Sequence, residues 1–333
     1  MIIKYLELSK IQRKLWGTLV KLSRNSKIYH YLYKSYWHYL CSNRKIHSDD
    51  KDNNFLTGKP NPGAGIGHQL SNWMAGYHFA KRFNLRYAYS EFSNKAWDSF
   101  FDFGIDESNS KKLLREKHKK VLLPLFDESD ESEVILVKNI IKSYQYKNVV
   151  FFLEQDQFLK NLYKASDHVK TKFYNSKKRS KDELIYSITN HNIAIHIRRG
   201  DIVNNKTKFG TRKQENKYFI KIIGDLRKHL DTERPKVFYL FSDGAENDFS
   251  EFREMEDVQF CLSFTAENSF LHMVYADVLI TSKSSFSYKP ALLNNGLKIC
   301  PENFWHGYPR TSDFLLANDL GQININALST HSK

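Results

Sequence analysis

The sequence predicts an α/β protein built in two halves, and three observations carry that prediction. With 333 residues and 39.3 kDa the chain exceeds one ordinary domain, so two domains of ~150 residues are expected. Beyond residue 184, short apolar runs rich in Ile, Val and Phe alternate with segments whose apolar residues recur every three or four positions. That is the signature of a parallel sheet with right-handed helical crossovers. Before it, the glycine-rich "PNPGAGIGHQ" feeds a helical pattern and then further apolar runs, which makes the first half α/β as well.

Taken in order, Leu70, Trp73, Met74, Tyr77 and Ala80 predict a helix over 70–83. "RYAYSEF" (86–92) reads as a strand. The acidic run Asp127 to Glu133 reads as a solvated loop, with "VILV" (134–137) and "VVFFL" (149–153) as short strands. "YNSKKRSKDE" (174–183) is basic, polar and aperiodic, which suits a linker. Strands follow at 193–197, 237–241, 258–262, 278–281 and 297–300, and helices at 217–230, 267–275 and 286–294. These elements divide the chain into a basic extension (1–55), an N-terminal domain (56–183) and a C-terminal domain (184–333).

Hydrophobic residues make up 41% of the chain and no low-complexity tract interrupts it, so the chain is globular rather than disordered. Its formal charge of +14 is unevenly spread: residues 1–48 hold ten Lys/Arg against the single acid Glu7. There the charges interleave with Leu6, Ile11, Leu15, Trp16, Leu19, Tyr29, Tyr33 and Trp37, the pattern of one or two basic amphipathic helices. No apolar span of ~18 residues and no cleavable leader pattern is present in the sequence. Two readings stand: a peripheral anchor on an anionic membrane, placing the protein on the inner face of the cytoplasmic membrane, or a helical hairpin packed on the main body. Cys41, Cys261 and Cys300 are widely spaced, which suits a reducing compartment and argues against a disulfide framework or a zinc site.

The informative residues of the second half stand at the carboxyl ends of predicted strands, where open α/β sheets bind ligands. "HIRRGD" (196–201) follows one strand, Ser242 and Asp243 the next, and "SKSSFS" (282–287) a third. Guanidinium pairs with phosphate oxygens through two parallel bonds, so Arg198 or Arg199 could hold a diphosphate while the other braces the site. The alternative is a structural turn in which Asp201 neutralises Arg199. The serines open a helix, whose N-terminal amides can take phosphate oxygens, or they serve as a plain cap. The glycine loop departs from the dinucleotide fingerprint: His68 stands where G-x-G-x-x-G needs glycine, and no convincing strand precedes it.

Four segments in order, "GIGHQLSNWMAGYHFAKRFN", "IAIHIRRGDIVNN", "FSDGAEND" and "ENSFLHMVYADVLITSKSSFSYKPALLN", resemble the α1,2-fucosyltransferases and, more distantly, the α1,6- and protein O-fucosyltransferases. The resemblance spans about residues 63–305 and leaves the first ~60 unmatched. It implies a GT-B fold, with two Rossmann-like domains facing across a cleft, the sugar nucleotide on the C-terminal one, and no metal or other cofactor. Carried over by position, Arg198 would bind the diphosphate of GDP-L-fucose, with His196 and Arg199 shaping the pocket. Ser284, Ser285 and Phe286 would hold phosphate from the other side, and Asp243 would lie beside the nucleotide. Glu267 would accept from guanine, and Gly65, Gly67, His68 and Gln69 would approach from the N-terminal domain. The implied reaction is inverting transfer of fucose to a hydroxyl of a glycan acceptor, in α1,2 linkage for a surface polysaccharide or lipopolysaccharide. Asp201 and Glu91 are the candidate bases. Two departures stand out: His68 replaces the Asn of the glycine-loop pattern, and "SYK" (287–289) replaces the usual "SWW". Another GDP-sugar remains a possible donor. A nucleic-acid-binding protein is the competing class for +14, but the charge lies outside the α/β body and no nucleic-acid motif is present, so no nucleic-acid partner is expected.

Overall fold

The computed structural model describes residues 12, 15–42, 54–61, 63–145, 147–154, 162–200 and 212–328. Two parallel sheets organise them. The first joins β1 (Phe55–Gly58), β2 (Arg86–Tyr89), β3 (Ser108–Asn109), β4 (Lys119–Leu122) and β5 (Val149–Leu153) in the order β3-β2-β1-β5-β4. The second joins β6 (His191–Ile197), β7 (Lys236–Ser242), β8 (Val258–Phe260), β9 (Val278–Ile280), β10 (Leu297–Pro301) and β11 (Phe314–Ala317) in the order β11-β10-β9-β6-β7-β8. Every pairing between them is parallel. This is the two-sheet, Rossmann-like architecture of the GT-B type, with a helical N-terminal extension.

The helices are α1 (15–23), α2 (Lys34–Leu40), α3 (Ile66–Arg82), α4 (Lys95–Phe101), α5 (Ser110–Arg115), α6 (Glu131–Lys142), α7 (Ser166–Asn175), α8 (Asn216–His229), α9 (Ala266–Tyr275), α10 (Ser285–Leu293) and α11 (Ile325–Leu328). Helix α3 lies directly on β1. A Cβ on Gly58 would stand 1.8 Å from Asn72 O, and one on Gly76 would stand 2.0 Å from Gly58 N, so the contact exists only between glycines. Phe270, Leu271 and Val274 of α9 and Tyr288, Leu292 and Leu293 of α10 join Trp73 and Phe79 of α3 in one apolar cluster. The two halves therefore share a core, and burial of that shared surface fixes the cleft between their sheets.

Four expectations are corrected. Residues 134–137 are helical, not a strand: Asp130 caps α6 by accepting from Ser132 and Glu133 N–H, and Val134, Val137, Ile140 and Ile141 face inward at helical spacing. The acidic run is accordingly a cap and a first helical turn as much as a loop. A strand does precede the glycine loop, because β1 is buried along its whole length although only two of its residues are large and apolar. The 174–183 segment is folded rather than a free linker: Arg179 lies over the rings of Phe100 and Phe173 at 4.8 and 4.4 Å and donates to Phe100 O.

The described part of the extension packs on the first half. Arg24 grips Glu133 with two bonds of 2.9 and 2.6 Å, Ser35 Oγ donates to Leu122 O, and the His38 ring stacks on Tyr144. Trp16 and Val20 of α1 turn inward, while Leu15, Leu19 and Leu22 remain 61, 52 and 79% exposed on an adjoining face. No helix among the described residues is long and apolar enough to cross a membrane.

Candidate functional site

The site forms where the carboxyl end of β6 meets the N-termini of α3 and α10. Strand β6 is buried on both faces and delivers "HIRRG" to its end, where the chain must turn. His196 still belongs to the strand and is buried, its Nδ1 2.8 Å from Ser282 Oγ and its ring 5.3 Å from that of Phe286. Burial, followed by the Arg198 charge and opposed by Asp243, pushes its pKa down to about 4, so the ring is neutral at pH 7.

The adjacent arginines divide their duties. Arg199 is 4% exposed and fully engaged within the protein: it donates to Arg198 O and Gln214 O at 3.0 Å each and to Asn216 Oδ1. Asn216 in turn donates to Asp248 O and Glu251 Oε2. Arg198 is the partly exposed member, one residue beyond the strand. Asp243 accepts from Arg199 N–H at 2.8 Å, which ties the end of β7 to the arginine turn. The turn is tightly packed: a Cβ on Gly200 would displace the Asp243 carboxylate, whose Oδ2 it would meet at 2.2 Å, and one on Gly244 would meet Arg199 Cβ at 2.7 Å. The "RRG" and "SDG" segments are thus one interlocked unit. Asp201 lies outside the described residues.

From the other side comes α10, opened by Ser284, whose Oγ accepts from Phe286 N–H. The cap reading of this serine is therefore realised, while the remaining first-turn amides, Ser285 included, have no partners one turn back in the helix. Gly67 presses on this same turn: a Cβ there would lie 2.6 Å from Ser285 C. Gly65 is the exposed residue that precedes α3. Gln69 turns back on its own domain, donating to Ala64 O and Ser93 Oγ and accepting from Ser93 N–H, so it holds the glycine loop in place. Glu267 stands in the first turn of α9 behind the Thr265 cap, 18 residues before Ser285 in sequence. Glu91 is drawn outward, bound by Lys111 Nζ at 2.5 Å and by Asn109.

Lys289, Arg212 and Trp305 are not among the expected site residues, and they enter around His68, which the glycine loop already marks. His68 is half-buried, and its pKa is lowered by burial first and then by the charges of Lys289, Arg212 and Arg198. Each of these three charges therefore acts on the ring. Lys289 is 1% exposed, its Nζ 4.7 Å from the centre of the Tyr288 ring. Arg212 lies over Trp305 at 4.4 Å, with the indole 40% exposed at the rim. Lys289 carries a signal in the sequence, as part of the departure at 287–289; Arg212 and Trp305 carry none. Among the described residues no group of three or more His, Cys, Asp or Glu side chains is placed to hold a metal ion.

A family profile described as glycosyl transferase family 11 matches residues 106–311, more than half of the chain. No curated protein matches the sequence. Among solved structures the chain is similar to NodZ, an α-1,6-fucosyltransferase, from a crystal soaked with GDP-fucose: 13% identity, TM-score 0.45, 78% of this chain and 98% of that one. It is also similar to Se-Met fucosyltransferase NodZ from Bradyrhizobium, with 13% identity, a TM-score of 0.43 and coverage of 74 and 93%. POFUT1 in complex with GDP-fucose gives 10% identity, a TM-score of 0.42 and coverage of 82 and 99%.

Proposed function

The chain belongs to glycosyl transferase family 11, and from that membership we propose that it moves L-fucose from GDP-L-fucose to a hydroxyl of a glycan acceptor with inversion at the anomeric carbon. The observation that carries the reading is the meeting of the α3 and α10 N-termini, Gly67 against Ser285, at the end of β6 where the partly exposed Arg198 emerges. A diphosphate is the sugar-nucleotide group that such a concentration of positive charge suits. In the transfer, the acceptor hydroxyl attacks in line, the bond from the anomeric carbon to the β-phosphate oxygen breaks, and its electron pair leaves with GDP. Arg198 and the α10 amides stabilise the charge that grows on that oxygen. His196, neutral and hydrogen-bonded to Ser282, lines the pocket without adding a charge. Arg199 and Asp243 keep Arg198 in position.

An α1,2 linkage and a surface-glycan acceptor follow the motif resemblance. Work on a lipid-linked acceptor would suit the extension, where Leu15, Leu19, Leu22 and Trp37, and Lys21, Lys27 and Lys34, are all exposed. Such a face fits the interface of an anionic leaflet, with apolar groups inserted and ammonium groups at the phosphates.

Calorimetric titration with GDP-L-fucose, GDP-mannose and UDP-galactose tests the assignment. GDP-L-fucose should bind, and Arg198→Ala should weaken it by about 10- to 100-fold, the loss of ~1.5–3 kcal/mol from a hydrogen bond to a charged group. Failure of every GDP-sugar to bind, or equal affinity in the variant, refutes the reading.

A further inference from the structure

We propose that the cavity under α1 binds the hydrocarbon chain of a single-chain lipid phosphate, with the phosphate at Lys21. For its purpose, holding a lipid-linked glycan acceptor beside the transfer site, the proposal rests on the GDP-sugar reading above. The cavity has a volume of about 480 Å³ and lies between α1 and the outer strand of the first sheet. Trp16 and Val20 of α1, Tyr33 before α2, and Leu122, Leu123 and Leu125 at the end of β4 supply its apolar lining. At the ~30 Å³ that a water-sized group occupies, it has room for on the order of 15 methylenes. Its walls are fixed from behind. Tyr29 Oη donates to Leu125 O and accepts from Leu125 N–H, Ser35 Oγ donates to Leu122 O, and the Trp16 ring meets that of Tyr33 edge-on at 5.7 Å.

Three features of the cavity identify its occupant. Gly17 lines it from the first turn of α1, and a Cβ there would meet nothing within 4 Å, so no packing within the described chain requires glycine. Glycine weakens a helix relative to alanine, and its place here is explained by a molecule lying against the helix backbone. The lining also carries one positive charge beyond its ion pairs. Arg24 is bound to Glu133 and Glu154 to Lys59, while Lys21 makes no ion pair among the described residues. An anionic head on an apolar chain is the complement of a lysine beside an apolar hollow. Finally, the helix that roofs the cavity turns Leu15, Leu19 and Leu22 to solvent, so a chain enters from an apolar surface. The cavity lies on the same rim of the sheet as the transfer site. Leu122 ends β4 and Glu154 follows β5, and α3 runs to Ser285 from beyond the same end of β1. Strand β5 alone separates β1 from β4, so at ~4.8 Å per strand the two ends lie about 10 Å apart. A lipid phosphate bound there keeps its glycan on the rim where the acceptor is needed.

The test is calorimetric titration of the full chain with octyl and decyl phosphate, each below its micelle concentration, and with decyltrimethylammonium as the charge-reversed probe. Each buried methylene contributes about fourfold, so decyl phosphate should bind about 15-fold tighter than octyl phosphate. It should also bind at least about tenfold tighter than the cationic probe. Gly17→Phe occupies the open space beside α1 and should weaken decyl phosphate at least about tenfold, with the melting temperature within a few degrees of wild type and GDP-L-fucose affinity within about threefold. Lys21→Gln, at an exposed position, should weaken decyl phosphate about fivefold and leave the cationic probe no weaker. Absence of decyl phosphate binding overturns the proposal, whether the cavity is too narrow or the chain's own first residues fill it. Binding that ignores chain length, or that survives in Gly17→Phe, overturns it as well, because the alkyl chain then lies elsewhere. Equal affinity for the cationic probe, or no effect of Lys21→Gln, overturns the placing of the phosphate. Decyl phosphate binding in a protein that takes no GDP-sugar would leave the lipid site standing and refute the transfer reading instead, so the two failures are read separately.

Discussion

Gly67→Ala probes the junction on which the site is built. The added methyl would stand 2.6 Å from Ser285 C and 2.7 Å from Ser285 O, both backbone atoms, so no side-chain rotation relieves it. Restoring ordinary contact near 3.4 Å requires the N-termini of α3 and α10 to part by about 0.8 Å. Overpacking of this kind costs about 1–3 kcal/mol, whereas alanine in place of glycine within a helix contributes up to about 1 kcal/mol in return. The net loss of about 0–3 kcal/mol shifts Tm by several degrees at most. Catalysis should suffer far more, because a displacement approaching 1 Å between groups that must act together can cost about 100-fold. GDP release from GDP-L-fucose and a thermal melt read both quantities. Gly224→Ala is the matched control: it lies in α8 with nothing within 4 Å of its Cβ position, so it should stabilise by about 1 kcal/mol and leave the rate unchanged. A Gly67→Ala enzyme with wild-type turnover would show that the two helix ends do not form one site.

The division of labour between the arginines predicts opposite phenotypes. Arg199→Ala strands Gln214 O and Asn216 within a buried network and should cost about 3–5 kcal/mol in denaturant unfolding, whereas Arg198→Ala should cost less than about 1 kcal/mol and lose donor binding instead. Equal unfolding midpoints for the two variants would contradict this. For the extension, replacing Leu15, Leu19 and Leu22 together with Ser should leave stability within about 0.5 kcal/mol, since all three are exposed, and should reduce sedimentation with phosphatidylserine vesicles at least tenfold. Unchanged vesicle binding would remove that face from any membrane role.

The elements legible in the sequence are those whose burial is complete and whose pattern is local. Strand β5 is buried along its whole length and reads as a continuous apolar run, as does the Ile193–Ile195 centre of β6. "VILV" imitates such a run over four residues, and only the wider window with Asp130, Val137, Ile140 and Ile141 reveals a capped helix. Strand β1 escapes because its place at the centre of the sheet depends on Gly58 meeting Gly76, a contact between residues 18 positions apart that leaves no apolar signature. Residues 174–183 look like a linker because Arg179 is charged, yet its guanidinium is covered by Phe100 and Phe173 from distant parts of the chain.

The site obeys the same rule. "HIRRGD" is legible because its chemistry is contiguous, and adjacency alone already requires that Arg198 and Arg199 face different ways. Which of them braces the turn is decided by Gln214 and Asn216, residues no motif connects to it. His68 and Lys289 lie 221 positions apart, and each on its own reads only as a missing Asn or a missing Trp. In the fold, burial lowers the His68 pKa most, and Lys289 is the cation that adds most to that effect. Lys289→Gln tests that coupling from the cation's side. It should raise the His68 pKa, because one of the charges that lower it is removed. An unchanged His68 titration in Lys289→Gln would mean that the two departures are neighbours without being coupled.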